Sequence, residues 1–277
     1  MLSPTSLKRA LKQTMALVER NILFETRFKL VFLTRFFGPI IQILMPLIIF
    51  GAIFNISEDY QFGYWNGENY ILFILIAFCI QFIRQIIDNF RLLFLREKFW
   101  KSLQAILVAP INRYVLLFGY LISEMILISI AFSAFFIIAV ILFPVNIFYL
   151  LLIFLLFLCS AIIFGSIGLI VGILIITKEG TVGVFSLGMR ILFWLSCFSY
   201  PLQIFPEFLQ FFILLNPLYY IIDIIRLTWL MGIDANLALT FFTPAHIIIL
   251  VLFTVFLPII SVYLFNKFYD RFGISGY

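Results

Sequence analysis

Charged residues are scarce in this chain. Asp, Glu, Lys and Arg make up 11% of its 277 residues, whereas soluble domains contain about 25%. Hydrophobic residues account for 65%, and the mean hydropathy is +1.20. This composition excludes an ordinary soluble protein and is typical of an integral membrane protein. We expect residues 1–277 to form a single transmembrane domain.

Residues that bind metals or catalyse reactions are equally few. The cysteines, Cys79, Cys159 and Cys197, lie in apolar runs without the spacing of a metal site. The single histidine, His246, stands at the start of an apolar run, and one histidine alone does not make a metal site. No segment matches a GxxxxGK[ST] phosphate loop, an HExxH motif or a nucleophile elbow. We therefore expect no catalytic site, metal or cofactor bound by this chain.

The formal net charge is +5, and the positions of the charges indicate membrane topology rather than nucleic-acid binding. Basic residues cluster within 8–35 and 84–113, at Lys178, and at Lys267 and Arg271. Acidic residues occupy the alternate connections, at Glu58, Asp59, Glu68, Glu207 and Asp234. This asymmetry is the positive-inside pattern. It predicts a multi-pass protein of the plasma membrane with both termini in the cytoplasm.

The apolar runs predict six spans, at residues 32–54, 70–90, 114–143, 147–176, 182–200 and 245–265. Before them, residues 6–27 carry apolar side chains every three or four positions. That period predicts a helix lying in the cytosolic membrane interface, or an ordinary cytosolic helix packed on protein. Gly168 and Gly172 form a GxxxG motif, which predicts a close helix contact rather than a ligand site.

A charged amphipathic segment, residues 96–112, separates the second and third spans. Phe99, Leu103, Ile106 and Pro110 recur at spacings that place them on one helical face. We predict that this segment couples the protein to a soluble partner, which matters because nothing else in the chain could supply energy. The residues proposed for this coupling are Arg96, Glu97, Lys98, Trp100, Lys101, Leu103, Leu107 and Pro110.

Between the last two spans, prolines divide residues 201–231 into two apolar pieces. Pro201, Pro206 and the pair Asn216–Pro217 mark the breaks. Each piece is too short to span a bilayer but too apolar for an exposed loop. The sequence therefore predicts two short helices that re-enter the outer leaflet.

Two ionisable residues fall deep inside apolar runs. Counting from the nearest basic ends, Glu124 and Arg190 lie roughly 15–18 Å inside the membrane. Charges at such depth are costly and usually paired or facing water. Our hypothesis is that they pair with each other, within a subunit or across a dimer. The alternative is that each contacts water or backbone separately.

Two further charged groups lie nearer the ends of their segments. Arg84, Asp88 and Arg91 share one face of a predicted helix, as a structural ion network or as the wall of a cargo vestibule. Asp223 and Arg226 lie in the re-entrant region, where they line an exit path or satisfy each other.

The stretch REKFWKSLQAILVAPINRYVLLFGYLISEM resembles the cytosolic segment of ABC-2 type transporter permeases. The matching positions are Glu97, Leu103, Ile106, Leu107, Pro110 and Gly119. Lys101-Ser102 replaces the family's usual Gly-Thr, and Gln104 replaces a Glu. The second match is SCFSYPLQIFPEFLQFFILLNPLYYIIDIIR, which shares with the family Pro201, Pro206, Asn216, Pro217 and Arg226. Together the two motifs extend the resemblance over nearly the whole chain.

The resemblance implies an all-α integral membrane protein with the ABC-2 exporter fold. Six transmembrane helices would be joined by an N-terminal interfacial helix, a cytosolic coupling helix between spans 2 and 3, and outer re-entrant helices between spans 5 and 6. It also implies an ABC ATPase partner that carries ATP and Mg, and a second permease copy in a homodimer or heterodimer. Membrane lipid is a further partner, and nucleic acid is not.

Among exporters, the chain is most similar to the daunorubicin-type and nodulation-factor-type permeases, because it lacks a Lys-aromatic-Pro-Arg-Glu pattern after the second span. An amphipathic, drug-like or lipid-linked substrate moving outward is then expected. The alternatives are a polysaccharide or teichoic-acid exporter permease, an ion-coupled secondary transporter that uses Glu124 and Arg190, and a membrane scaffold without transport.

Overall fold

A computed structural model describes residues 4–27, 29–56, 61–99, 112–177 and 182–272. The described residues form helices and connecting turns, with an isolated bridge between Phe62 and Trp65 in place of any strand. The helices are α1 (Pro4–Arg27), α2 (Lys29–Ile56), α3 (Tyr70–Phe99), α4 (Arg113–Leu142), α5 (Ile147–Thr177), α6 (Val182–Trp194), α7 (Glu207–Leu215), α8 (Pro217–Ile233), α9 (Ala235–Phe241) and α10 (Pro244–Phe272).

Five of these helices are long and apolar enough to cross a membrane. Their spanning parts are Phe32–Phe54, Tyr70–Arg96, Tyr114–Leu142, Ile147–Leu174 and Pro244–Phe268. The pair α7–α8 is apolar over a comparable length but is bent by 91°, and counting it as one broken span raises the number to six. The predicted all-helical membrane architecture is thus confirmed.

The predicted fifth span, residues 182–200, differs from the helix observed there. Helix α6 ends at Trp194 and has 13 residues, so it extends only about 20 Å, less than the roughly 30 Å of a hydrocarbon core. The chain turns directly afterwards, where Cys197 adopts a left-handed φ of 56°. The side-chain amide of Asn216 donates a 2.7 Å hydrogen bond to the carbonyl of Leu192, which satisfies part of the open end of α6.

The proline-delimited pieces at residues 201–231 form short helices, as predicted. Pro206 precedes α7 as its N-cap residue, and Pro217 is the first residue of α8. The side chain of Asn216 accepts a 3.1 Å hydrogen bond from the backbone N–H of Leu218, which caps α8. A 3-10 turn at Leu202–Ile204 and helix α9 were not predicted.

Helix α3 occupies the centre of the bundle and packs against α2, α4, α5 and α8. Its closest neighbour is α5, at the predicted GxxxG motif. A Cβ added at Gly168 would lie 2.9 Å from Cβ of Phe90 and 3.3 Å from Cα of Ile87, and one added at Gly172 would meet the ring of Phe94. The prediction of a tight helix contact is confirmed.

Helix α1 packs along α4 and ends beside α2 and α3. Its buried face carries Leu17, Asn21 and Glu25, four residues apart. The apolar residues Leu11 and Met15, which define the predicted amphipathic stripe, are 54% and 71% exposed. One face of α1 is therefore packed on protein, and another presents apolar side chains in the way that an interfacial helix does.

We call the end of the bundle that carries both termini the terminal end. The opposite end, which carries residues 61–69 and the α4–α5 turn, is the loop end.

Candidate substrate pathway and coupling network

Most of the predicted ATPase-coupling segment lies outside the described residues. This applies to Trp100, Lys101, Leu103, Leu107 and Pro110, and to the side chains of Glu97 and Lys98. Arg96 is described, in the last turn of α3. The following described residue, Asn112, accepts a 3.0 Å hydrogen bond from the backbone N–H of Tyr114 and caps α4. The helix that follows the segment therefore has a capped beginning.

Arg96 contacts a buried carboxylate on α1. Its guanidinium forms an ion pair with Oε1 of Glu25 and lies 4.6 Å from the ring centroid of Phe24. Oε2 of Glu25 pairs with Arg35 of α2 at 2.5 Å, and the Glu25 side chain is only 2% exposed. One carboxylate therefore joins α1, α2 and α3 directly before the predicted coupling segment.

Glu124 belongs to the same set of ion pairs. Its Oε2 accepts hydrogen bonds from Arg35 at 3.2 Å and from the side-chain amide of Asn89 at 2.6 Å. We refer to Glu25, Arg35, Asn89, Arg96 and Glu124 as the terminal network. It extends across four helices, α1 to α4, at the terminal end.

The hypothesis that Glu124 pairs with Arg190 within one chain is not supported. Helix α4 presents Glu124 to α2 and α3, where Arg35 neutralises its charge. Helix α6 packs along α5 instead, and Arg190 is exposed on it.

Arg190 lines a cavity of about 600 Å³ between α2, α3, α5 and α6, which we call the vestibule. Arg84, Asp88 and Arg91, predicted to share one face of α3, line the same cavity. Asp88 and Arg91 form an ion pair at 3.6 Å. Arg84 donates a 3.2 Å hydrogen bond to Gln81 and stacks 4.8 Å from the ring centroid of Phe193. The two predicted roles of Arg84, Asp88 and Arg91 were a structural ion network and a vestibule wall. Both are partly observed, since Asp88 and Arg91 form an ion pair and all three residues line the cavity.

At the loop end, Asp223 and Arg226 are both buried but do not form an ion pair with each other. Asp223 accepts a 2.5 Å hydrogen bond from the hydroxyl of Tyr64 and lies 3.3 Å from Nε2 of His246. Burial and the adjacent carboxylate raise the pKa of Tyr64 well above its usual value, so its hydroxyl stays protonated and donates. Nδ1 of His246 lies 3.2 Å from the backbone nitrogen of Thr243 and 3.0 Å from its carbonyl oxygen, so Thr243 orients the ring with Nε2 facing Asp223.

Arg226 holds the turn that follows α6. Its guanidinium donates hydrogen bonds to the carbonyls of Cys197 at 2.8 Å and Phe198 at 2.6 Å, and lies 4.0 Å from the ring centroid of Phe73. Together with Tyr64 and Asp223 it lines a small cavity of about 80 Å³. These residues, with His246, form the loop-end cluster. The two charges attract each other, but the hydrogen bonds of Asp223 and of Arg226 go to other partners.

The family model of the ABC-2 type transporters matches residues 12–230. The chain belongs to the ABC-2 type transporter family. No curated protein matches it. ABC-2 domains are the transmembrane subunits of ABC transporters and normally pair with an ABC ATPase subunit. The matched region begins in α1 and ends in α8, so it includes the terminal network and the vestibule.

The sequence analysis did not predict all residues of the terminal network and the loop-end cluster of this ABC-2 domain. Glu25, Arg35 and Asn89 were not singled out, although Glu25 follows Leu17 and Asn21 at the four-residue spacing of one helical face. Tyr64 and His246 contact Asp223 from distant parts of the chain, and no local pattern in the sequence indicates these contacts.

Proposed function

We propose that this chain is the permease subunit of an ABC exporter that moves an amphipathic, drug-like or lipid-linked substrate outward. The observation that carries the proposal is the vestibule, a cavity of ligand size with basic and apolar walls inside an ABC-2 membrane domain. The daunorubicin-type and nodulation-factor-type exporters are the subgroup that the sequence motifs favour. ATP and Mg would be bound by the partner ATPase.

A second permease copy, identical or related, would complete the pathway. Helices α2 and α6 border the vestibule and leave large apolar side chains exposed, among them Phe37, Ile41, Val184 and Leu187. A second copy packed on these faces would cover them and close the open side of the vestibule. Both copies would lie in the plasma membrane with their termini in the cytoplasm.

The terminal network suggests how ATPase closure would reach the vestibule. A force on residues 96–112 acts first on the end of α3, where Arg96 is paired with Glu25. Glu25 and Arg35 extend this connection to α1 and α2, so α2 and α3 would shift together against α6. ATP binding can drive the shift only to the extent that ATP binds the two conformations with different affinity.

Co-purification tests the proposal. The tagged protein would be extracted from its native membranes in mild detergent, and its partners identified by mass spectrometry. We expect a stoichiometric ATPase with a phosphate-binding loop, and we expect the combined charge reversals Glu97→Lys and Lys101→Glu to release it. Glu207→Lys, an exposed charge reversal at the loop end, is the matched control and should retain the ATPase.

Recovery of the chain alone, still able to move ions across liposomes, would contradict the proposal in favour of an ion-coupled transporter. Loss of the ATPase with Glu207→Lys but not with the double variant would place the coupling surface elsewhere.

A further inference from the structure

We propose that the vestibule is a binding site for the anionic headgroup of an amphiphile, with Arg84 and Arg190 as the residues that recognise it. This inference rests on the proposed function, whose substrate it narrows to a molecule with a phosphate, sulfate or carboxylate head and an apolar tail.

The charges that line the vestibule do not balance. Three arginines face one carboxylate, and that carboxylate, Asp88, is paired with Arg91. The acceptor that Arg84 uses is the uncharged amide of Gln81. Among the described residues no carboxylate lies within ion-pair distance of Arg190. Asp88 therefore offsets only part of the positive charge of Arg84 and Arg91, the described lining keeps an excess of two positive charges, and Arg84 and Arg190 are close enough to repel each other.

Arg84 and Arg190 both lie well inside the membrane-spanning part of the protein. Arg84 precedes Arg96, at the end of its span, by about 18 Å of helix, and Arg190 follows Val182 by about 12 Å. Uncompensated charge at such depth is expensive, and it is found where it faces water or a ligand of opposite charge. An anion placed between Arg84 and Arg190 would remove their repulsion and replace lost hydration.

The guanidinium group fits this ligand chemistry. Its planar N–H groups match the paired oxygens of phosphate, sulfate and carboxylate, and the resulting hydrogen bonds are charge-assisted. The contact with the Phe193 ring restricts the Arg84 side chain, so less side-chain freedom is lost on binding. A lysine side chain would supply the positive charge without the planar set of N–H groups.

The remaining walls suit an apolar tail. The cavity is also lined by Ile87 of α3 and by Phe185, Met189, Trp194 and Phe198 from α6 and the turn after it. The volume of about 600 Å³ lies within the range of small-molecule sites. It accommodates a headgroup and the first part of a chain, and the rest of the chain would extend out of the cavity.

Binding measurements on the purified transporter, together with any ATPase that co-purifies, test the proposal. The protein is placed in nanodiscs of zwitterionic lipid, and Trp194 in the vestibule wall contributes to the fluorescence readout. The probes are dodecyl phosphate and dodecyltrimethylammonium, which share a tail and differ in the sign of the head. We expect dodecyl phosphate to bind at least about tenfold more tightly. Equal binding of the two probes would overturn the proposal, and this comparison needs no variant.

Variants locate the site. Arg84→Gln and Arg190→Gln should each weaken dodecyl phosphate binding at least about tenfold and leave dodecyltrimethylammonium binding unchanged or stronger. Arg84→Lys and Arg190→Lys should retain part of the affinity, because they keep the charge. Arg9→Gln, at an exposed arginine outside the vestibule, is the matched control. Unchanged phosphate binding in both glutamine variants would overturn the assignment.

The outcomes separate this inference from the proposed function. A complex that contains its ATPase but shows no preference for the anionic probe upholds the exporter and refutes the anion site. A chain that purifies without an ATPase, but loses anion binding in the arginine variants, upholds the anion site and refutes the exporter. The bound anion could be a transported substrate or a resident phospholipid. Measuring ATP-driven movement of labelled dodecyl phosphate in proteoliposomes distinguishes the two. Movement identifies a cargo site, and arginine-dependent binding without movement identifies a site for a resident phospholipid.

Discussion

Glu25 shows how one side chain can connect several elements of a membrane protein. It is a carboxylate near the end of an amphipathic helix, a position where exposure to water is usual. The structure instead buries it between Arg35 and Arg96, so both carboxylate oxygens are paired. A buried ion pair contributes little net stability, but removal of one partner leaves the other charge buried without compensation.

We predict that Glu25→Gln destabilises the protein by about 3–5 kcal/mol, because Arg96 loses its only described carboxylate partner and Arg35 retains only Glu124. The measurement is the unfolding midpoint of the purified protein in detergent. Glu19→Gln changes an exposed carboxylate on the same helix and should shift the midpoint little. Equal shifts for the two variants would show that the terminal network does not stabilise the bundle.

Asp223 illustrates the limit of local sequence reasoning at the residue scale. Its spacing from Arg226 suggested that the two side chains satisfy each other. The carboxylate is instead held by Tyr64 and His246, which lie 159 and 23 positions away in the chain. Such partners are brought together only by packing of α8 against α10 and the 61–69 segment. A polar residue in an apolar run therefore signals that a partner exists, without indicating which one.

At the scale of elements, the helices most accurately predicted are those with long apolar runs bounded by polar residues. Helices α4 and α5 begin within one residue of the predicted spans. The fifth predicted span was too long because residues 195–200 contain no charged residue, glycine or proline that would mark the end of the helix. Tertiary contacts end α6. They are the hydrogen bond from Asn216 to Leu192 and the hydrogen bonds from Arg226 to Cys197 and Phe198. Composition alone does not contain that information.

The contact between α3 and α5 depends on glycine. We predict that Gly168→Ala destabilises the protein by about 1–3 kcal/mol, because its Cβ would press on Phe90 and on the backbone of Ile87. Gly188→Ala in α6 is the control, since a Cβ there meets nothing within 4 Å. This control should be neutral or stabilising by up to about 1 kcal/mol, as alanine favours helix. Thermal unfolding of both variants in the same detergent is the measurement.

If Gly168→Ala were as stable as the control, α3 and α5 could move apart without a loss in the free energy of unfolding. The GxxxG motif would then not set the distance between these helices. A vestibule wall formed by α3 and α5 would then be less rigid than the observed packing implies.

At the scale of the whole molecule, the charge asymmetry and the fold agree on which segments share an end. The terminal network and the loop-end cluster lie toward opposite ends of the bundle, and the vestibule overlaps the network in depth, since Asp88 and Arg91 flank Asn89 on α3. A headgroup held by Arg84 and Arg190 would therefore have to pass the turn that Arg226 holds before it leaves on the other side.

The proposed coupling to a cytosolic ATPase requires the terminal end to face the cytoplasm. Cysteine labelling can test this orientation. We predict that Lys267→Cys, exposed at the terminal end, reacts with a membrane-impermeant maleimide only in inverted membrane vesicles. Glu207→Cys, exposed at the loop end, should react only in intact cells. The unsubstituted chain serves as the blank, because Cys79 and Cys197 are buried and Cys159 is half-buried. The reverse pattern would place residues 96–112 outside the cell, beyond the reach of a cytosolic ATPase, and the exporter proposal would fail with the orientation.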